Sequence, residues 1–205
     1  MSINDWIAAT TRDVRPRSVS GGAGYAAVVR RTYDASVEEV WDAITSPERI
    51  ERWFLPVSGD LEKGGRFQLE GHAGGEILEC DRPSRLHLTW VAEGHPAQEL
   101  VVTLTPEGDA RTTLELEHAG PGEGDDAVAH VLAVGVGWDP ALVGFGQYLA
   151  GEPMDKQWWF ESEEAMEFTR LSVHAWAATL GERQVAPSAA VARAAEETLK
   201  FYTPE

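Results

Sequence analysis

Between residues 57 and 118 the chain is written in period two, and this constrains its fold more than any other feature. "GGRFQLEG" sets Phe67 and Leu69 on one side, "GGEILECD" Leu78 and Cys80, and "RLHLTWV" Leu86, Leu88 and Trp90. "ELVVTLT" then aligns Leu100, Val102 and Leu104, and "TTLELEH" aligns Leu114, Leu116 and His118. The joints "KGG", "DRPS", "EGHPAQ" and "PEGDA" are turn chemistry. Short strands joined by tight turns, with no helix between them, predict an antiparallel meander with one wet face and one apolar face. The apolar face needs a cover.

Two short helices are predicted just before the meander, in "YDASVEEVWDAITSPERIERWF", after a first strand in "YAAVVRRTYDA". Ser36 and Glu39 have capping-box spacing, and Val37, Val40, Trp41 and Ile44 recur with helical period. Ser46 reads as the cap of the second helix, with Pro47 at its first position, where a missing N–H costs nothing. Ile50, Trp53 and Phe54 form its apolar side and Pro56 stops it.

The cover is expected after the meander. Asp126 reads as one helix start and Asp139-Pro140 as a second, so a closing helix is placed near 139–150, with Trp138 at its head. Leu142, Phe145 and Leu149 share its face, and Gly151 suits its C′ position. Two more helices follow, one with Phe168, Leu171 and Ala175 in a stripe and Gly181 as its stop, the other with Val191, Ala195, Leu199 and Tyr202 in line. The expected organisation is a flexible leader at 1–23, a domain at 24–151 and a helical extension at 152–205.

The strand, helix pair, meander and closing helix resemble the helix-grip fold of the START-like (SRPBCC) superfamily. The closer resemblance is to the bacterial branch related to the activator of the 90-kDa heat-shock-protein ATPase. "ASVEEVWDAITSPERIERWF", "GGRFQLEG", "GGEILECDRPSRLHLTW" and the later "GW" carry it, over about residues 25–150. The resemblance implies an α+β fold with a curved antiparallel sheet around a C-terminal helix and an apolar cavity between them. The helical extension is additional to the minimal fold. Trp41 and Ile44 would pack the inner end, while Trp53 and Phe54 could border the mouth. The eukaryotic co-chaperone has a separate N-terminal chaperone-binding domain, whereas only about 24 residues precede the first strand here. Direct chaperone activation is therefore not expected.

Charge and cysteine usage narrow the function. The 205 residues carry a formal net charge of −17, which repels phosphate backbones and anionic membranes, so nucleic acid is not an expected partner. A single cysteine, Cys80, excludes a disulfide framework and fits a reducing, cytoplasmic home. The N-terminus lacks signal-peptide character, and no apolar run approaches the ~20 residues of a membrane span, so no membrane insertion is expected.

No catalytic constellation emerges. His72, His87, His95, His118, His130 and His174 lack metal-ligand spacing, and "GGAG" and "GVG" lack the lysine and hydroxyl residue of a phosphate loop. Neither metal nor cofactor is expected, and Cys80 reads as a structural thiol. His118 continues the stripe of Leu114 and Leu116, as a rim histidine or as a polar handle in an apolar pocket. The expected cavity draws on Phe54, Phe67, Leu69, Leu88, Trp90, Leu104, Leu116, His118, Trp138, Leu142 and Phe145. The function expected is non-catalytic binding of a small hydrophobic molecule. A co-chaperone-like interaction module with a chaperone contact, or a polyketide cyclase/aromatase-like enzyme, are the alternatives. Tail aromatics need a surface to dock on, and a homodimer through the C-terminal helices is the expected one.

Overall fold

The computed structural model describes residues 2–19, 22–152 and 162–203. Eight strands form one curved antiparallel sheet in the order β1-β2-β8-β7-β6-β5-β4-β3. They are β1 (Thr11–Val19), β2 (Gly22–Tyr33), β3 (Val57–Gly59), β4 (Arg66–Leu69), β5 (Gly74–Asp81), β6 (Arg85–Trp90), β7 (Gln98–Pro106) and β8 (Thr112–Pro121). The described helices are α1 (Ile3–Ala8), α2 (Val37–Thr45), α3 (Pro47–Trp53), α4 (Asp125–Leu149), α5 (Glu163–Glu182) and α6 (Ser188–Tyr202). This is the α+β helix-grip architecture, and the meander has the expected neighbours in the expected order.

The chain gathers into two compact units. The first comprises Met1–Val29, Ala119–Val143 and Asp155–Glu205, and the second Arg30–His118 and Gly144–Met154. β2 and α4 each contribute residues to both units.

In the first unit the expected flexible leader is replaced by structure. Ser2 caps α1 in a reciprocal capping box with Asp5, and β1 follows directly. Both elements lie against α5, where Trp6 meets Phe168 edge-on at 6.3 Å. Arg12, Val14 and Val19 give this segment tertiary partners that local composition does not reveal. The buried stripe of α5 is Ala165, Phe168, Ser172, Trp176 and Leu180, so Leu171 and Ala175 flank it rather than define it. Gly181 lies inside α5, and the chain turns at Gln184, which has φ 54°. Val191 and Ala195 are buried on α6 as expected, whereas Tyr202 is exposed. Of the tail aromatics, Trp158, Trp159 and Phe160 lie outside the described residues.

In the second unit Ser36 caps α2 by accepting the Glu39 N–H at 3.2 Å. The Glu39 carboxylate is drawn instead to Arg49, which also donates to Asp42 at 2.8 Å and to the Tyr148 hydroxyl at 2.8 Å. Ser46 makes no side-chain cap for α3; its hydroxyl donates to Asp42 at 2.9 Å. A bulge in β5 corrects the face of Leu78. Ile77 pairs with Leu88 and Cys80 with Leu86, so Ile77 and Cys80 share the inner face and the extra residue between them absorbs the change of parity.

The region between 125 and 149 is one helix, not two. Pro140 stands inside it, and Asp139 is a fully buried interior residue rather than a cap. A proline in mid-helix deletes one ladder hydrogen bond and is tolerated where tertiary contacts over-determine the helix. Gly151 ends it as expected, at φ 69°, with Gly151 N donating to Tyr148 O and Glu152 N to Gln147 O, the paired bonds of a Schellman motif. Among the described residues α4 alone is long and apolar enough to cross a membrane, and most of it is buried in the protein.

Candidate functional site

In the second unit the end of α3, the sheet, the exposed turn after β4 that holds His72 and the last turns of α4 carry a connected series of rings. Tyr33 meets Phe145 edge-on at 5.0 Å, Phe145 meets Trp53 at 4.6 Å, and Trp53 stacks on Phe54 at 5.5 Å. Phe54 meets His72 at 6.4 Å, His72 meets Trp90 at 5.6 Å, and Trp90 meets His118 at 5.5 Å. Phe67 joins at Trp90, at 6.3 Å. Edge-to-face and offset contacts at these spacings are the favoured ones for aromatic quadrupoles. The Trp53 indole is fixed by its own donor, Nε1 to Ala43 O at 3.0 Å.

Strand register explains the assembly. Leu86, Leu88 and Trp90 of β6 stand opposite Val102, Leu100 and Gln98 of β7, and directly opposed residues share a face. Gln98 is thus brought beside Trp90, where its Oε1 accepts from His118 Nε2 at 2.7 Å. His118 is 2% exposed, so it is no rim residue but an inward polar group tied to a neighbouring amide.

Of the eleven expected cavity residues, Phe54, Phe67, Trp90, His118 and Phe145 are joined by ring contacts, and Leu69, Leu88, Leu104 and Leu116 are buried in the same unit. Trp138 and Leu142 are buried residues of the first unit. A depression of about 360 Å³ within the second unit runs along Ser58, Arg66, Phe67, Gly75 and Val91, within the usual volume range of small-molecule sites.

Besides Gln98, three participants escaped the sequence reading. Tyr33 and His72 complete the ring series, and Arg31 lies buried, 8% exposed, two residues before Tyr33 on β2. Burial pushes the Tyr33 hydroxyl upward from the ordinary phenol range, with the Arg31 charge pulling against it. Period-two alternation through "VVRRTY" was the available signal; it puts Val29, Arg31 and Tyr33 on one face.

A second polar cluster sits in the first unit. Arg12 Nε and Nη2, Ser172 Oγ and Trp176 Nε1 all donate to Asp139 Oδ2, at 3.0, 2.8, 2.5 and 3.2 Å, while buried Oδ1 has no hydrogen-bond partner. Burial pushes the carboxyl above the ordinary range, opposed by Arg12, Ser172 and Trp176. Asp139 and Ser172 are both sealed from solvent, so the cluster ties α4, β1 and α5 together and offers no surface for a reaction. Among the described residues no three or more His, Cys, Asp or Glu side chains converge as metal ligands would.

The profile of the family described as "Activator of Hsp90 ATPase homolog 1-like protein" matches residues 34–150. Among solved structures, CalU16 from Micromonospora echinospora is 41% identical, with a TM-score of 0.74, covering 84% of this chain and 98% of its own. DynU16, described as a protein in the dynemicin biosynthetic locus, is 28% identical, with a TM-score of 0.53 over 62% of this chain and 48% of its own. PFC0360w, described as an HSP90 activator from Plasmodium falciparum, is 19% identical, with a TM-score of 0.52 over 62% of this chain and 97% of its own. At that identity it speaks for the fold alone. No curated protein sequence matches.

Proposed function

The chain belongs to the Activator of Hsp90 ATPase homolog 1-like family, and from that premise we propose that it is a cytoplasmic, non-catalytic binder of a small hydrophobic molecule, held in its second unit. One observation carries the reading: the ring series from Tyr33 to His118, seven side chains long, meets an inward polar pair, His118 and Gln98, at its His118 end. Apolar walls with a few placed polar groups are what small-molecule sites have in common. Rings that meet edge-on, tilted or stacked at 4.6–6.4 Å favour a flat, ring-bearing ligand that makes contacts of the same kind. The association of DynU16 with a biosynthetic locus supports a biosynthetic product or intermediate as the class of ligand.

The test is binding of the neutral apolar dye N-phenyl-1-naphthylamine to the full chain, read by dye emission and by quenching of tryptophan. Trp90→Phe and Phe145→Leu are expected to change the affinity several-fold, while Glu38→Gln on the exposed side of α2 leaves it unchanged. A chain that binds neither this dye nor any molecule retained in native mass spectrometry has a solidly packed interior, and the ring series is then ordinary core.

A further inference from the structure

We propose that the ligand of the second unit carries a carboxylate-class anion, and that Arg31 and the Tyr33 hydroxyl receive it; the proposal rests on the ligand-binding reading above.

Strand β2 runs buried, exposed, buried through Arg31, Thr32 and Tyr33, so Arg31 and Tyr33 point to the same face. That face is the one turned to α4, because the Tyr33 ring meets Phe145 at 5.0 Å. The next helix residue is Gly146, and a Cβ there would stand 3.3 Å from the Tyr33 ring and 4.0 Å from Arg31 Nε. The missing side chain lets the helix backbone pack closely on the Tyr33 ring, with the Arg31 guanidinium in ordinary contact distance of the same position. A cation and a hydroxyl donor thus stand together at one end of the ring series, opposite the His118–Gln98 end.

Arginine is seldom buried this far, and a charge is costly to remove from water. For stability alone a well-packed apolar residue serves such a position as well or better. The flanking inward residue, Val29, shows that the strand can be filled that way. Arg31 is engaged within the protein, and a guanidinium has five N–H donors in a planar fork, enough to hold protein groups and a carboxylate together. Tyr33, likewise engaged within the protein, adds its phenol O–H on the same face. The net charge of −17 makes a local cation necessary for any anionic ligand, and distant surface carboxylates are screened over about 8 Å at physiological ionic strength.

The experiment displaces N-phenyl-1-naphthylamine from the full chain with 2-naphthoate and, in parallel, with 2-naphthamide, which has the same rings and no charge. On the native protein 2-naphthoate is expected to compete about tenfold more strongly, the size of one charge-assisted contact. Arg31→Met should erase that preference and Arg31→Lys should retain part of it, whereas Glu38→Gln on the exposed side of α2 should leave both the preference and the dye affinity unchanged. Equal competition by the two compounds on the native protein overturns the proposal without any variant having to fold, as does a preference that survives Arg31→Met. A native chain that binds no dye defeats the ligand-binding reading itself and this inference with it, which separates the two failures.

Discussion

Arg12 aims Nε and Nη2 at a single oxygen of Asp139, at 3.0 and 2.8 Å, across 127 residues of chain. The pair is sealed, with the guanidinium side chain 6% exposed and the carboxylate 0%. Ser172 and Trp176 of α5 donate to the same oxygen, so the N-terminal strand, the long helix and the tail meet on one atom.

Breaking such a pair from one side leaves a buried charge uncompensated, which costs about 3–5 kcal/mol. Asp139→Ala should lower stability by that amount in urea denaturation followed by tryptophan fluorescence. The double variant Arg12→Met/Asp139→Leu, which removes both charges and keeps the volume, should recover most of it. A loss below about 1 kcal/mol for the single variant would mean that water reaches the pair.

The same carboxyl sets a pH dependence. Burial pushes the Asp139 pKa up from its ordinary value of 3.8, against the pull of Arg12, Ser172 and Trp176, so ionising this carboxyl is harder in the folded chain than in the unfolded one. A raised folded pKa gives stability that is complete below the unfolded value and is lost as pH rises through the folded one. The stability difference between the native protein and Asp139→Asn should therefore fall as pH climbs from about 4. A difference that grows over the same range would show that the pull of Arg12 prevails over desolvation.

Two glycines of α4 with one residue between them, on different sides of the helix, should respond with opposite signs to the same change. A Cβ on Gly135 would sit 2.4 Å from the Trp176 indole, whereas on Gly137 its nearest neighbour is the Tyr202 hydroxyl at 3.6 Å. Gly135→Ala should destabilise by about 1–3 kcal/mol, because the ring must move off the helix. Gly137→Ala should stabilise by up to about 1 kcal/mol, the helix-propensity gain. Thermal melting of the two variants side by side reads the contrast, and equal signs would contradict it.

The tail supplies a fourth expectation. Phe168 and Trp176 are buried within the first unit, which answers part of the need for a docking surface, but Phe201 at the end of α6 stays 77% exposed. We propose that a homodimer through the C-terminal helices covers it. Multi-angle light scattering should give twice the chain mass of 22.4 kDa, and Phe201→Ser should shift the protein toward the monomer. A clean monomer at high concentration leaves the tail as a part of the first unit only.

The meander was legible because strand and turn signals are local. Alternation set the inner residues of β6, β7 and β8 correctly, and the Ser36 cap and the Gly151 stop each involve backbone groups only a few residues away. From these the grip fold followed, and with it the burial of several of the rings that meet in the second unit. The failures share one cause. Asp139-Pro140 satisfies every local rule for a helix start, yet its carboxylate is claimed by Arg12, Ser172 and Trp176, so the helix runs straight through. Leu78 satisfies the alternation, yet a bulge that only pairing with β6 creates reverses its face. Arg31 reads as a charged strand residue until Tyr33, Phe145 and Gly146 show which face it is on. By itself the sequence determined which groups could pair within a turn or a strand. Which distant group each buried polar side chain meets was decided only when the chain closed on itself, since that partner is set by long-range packing and not by neighbours along the chain.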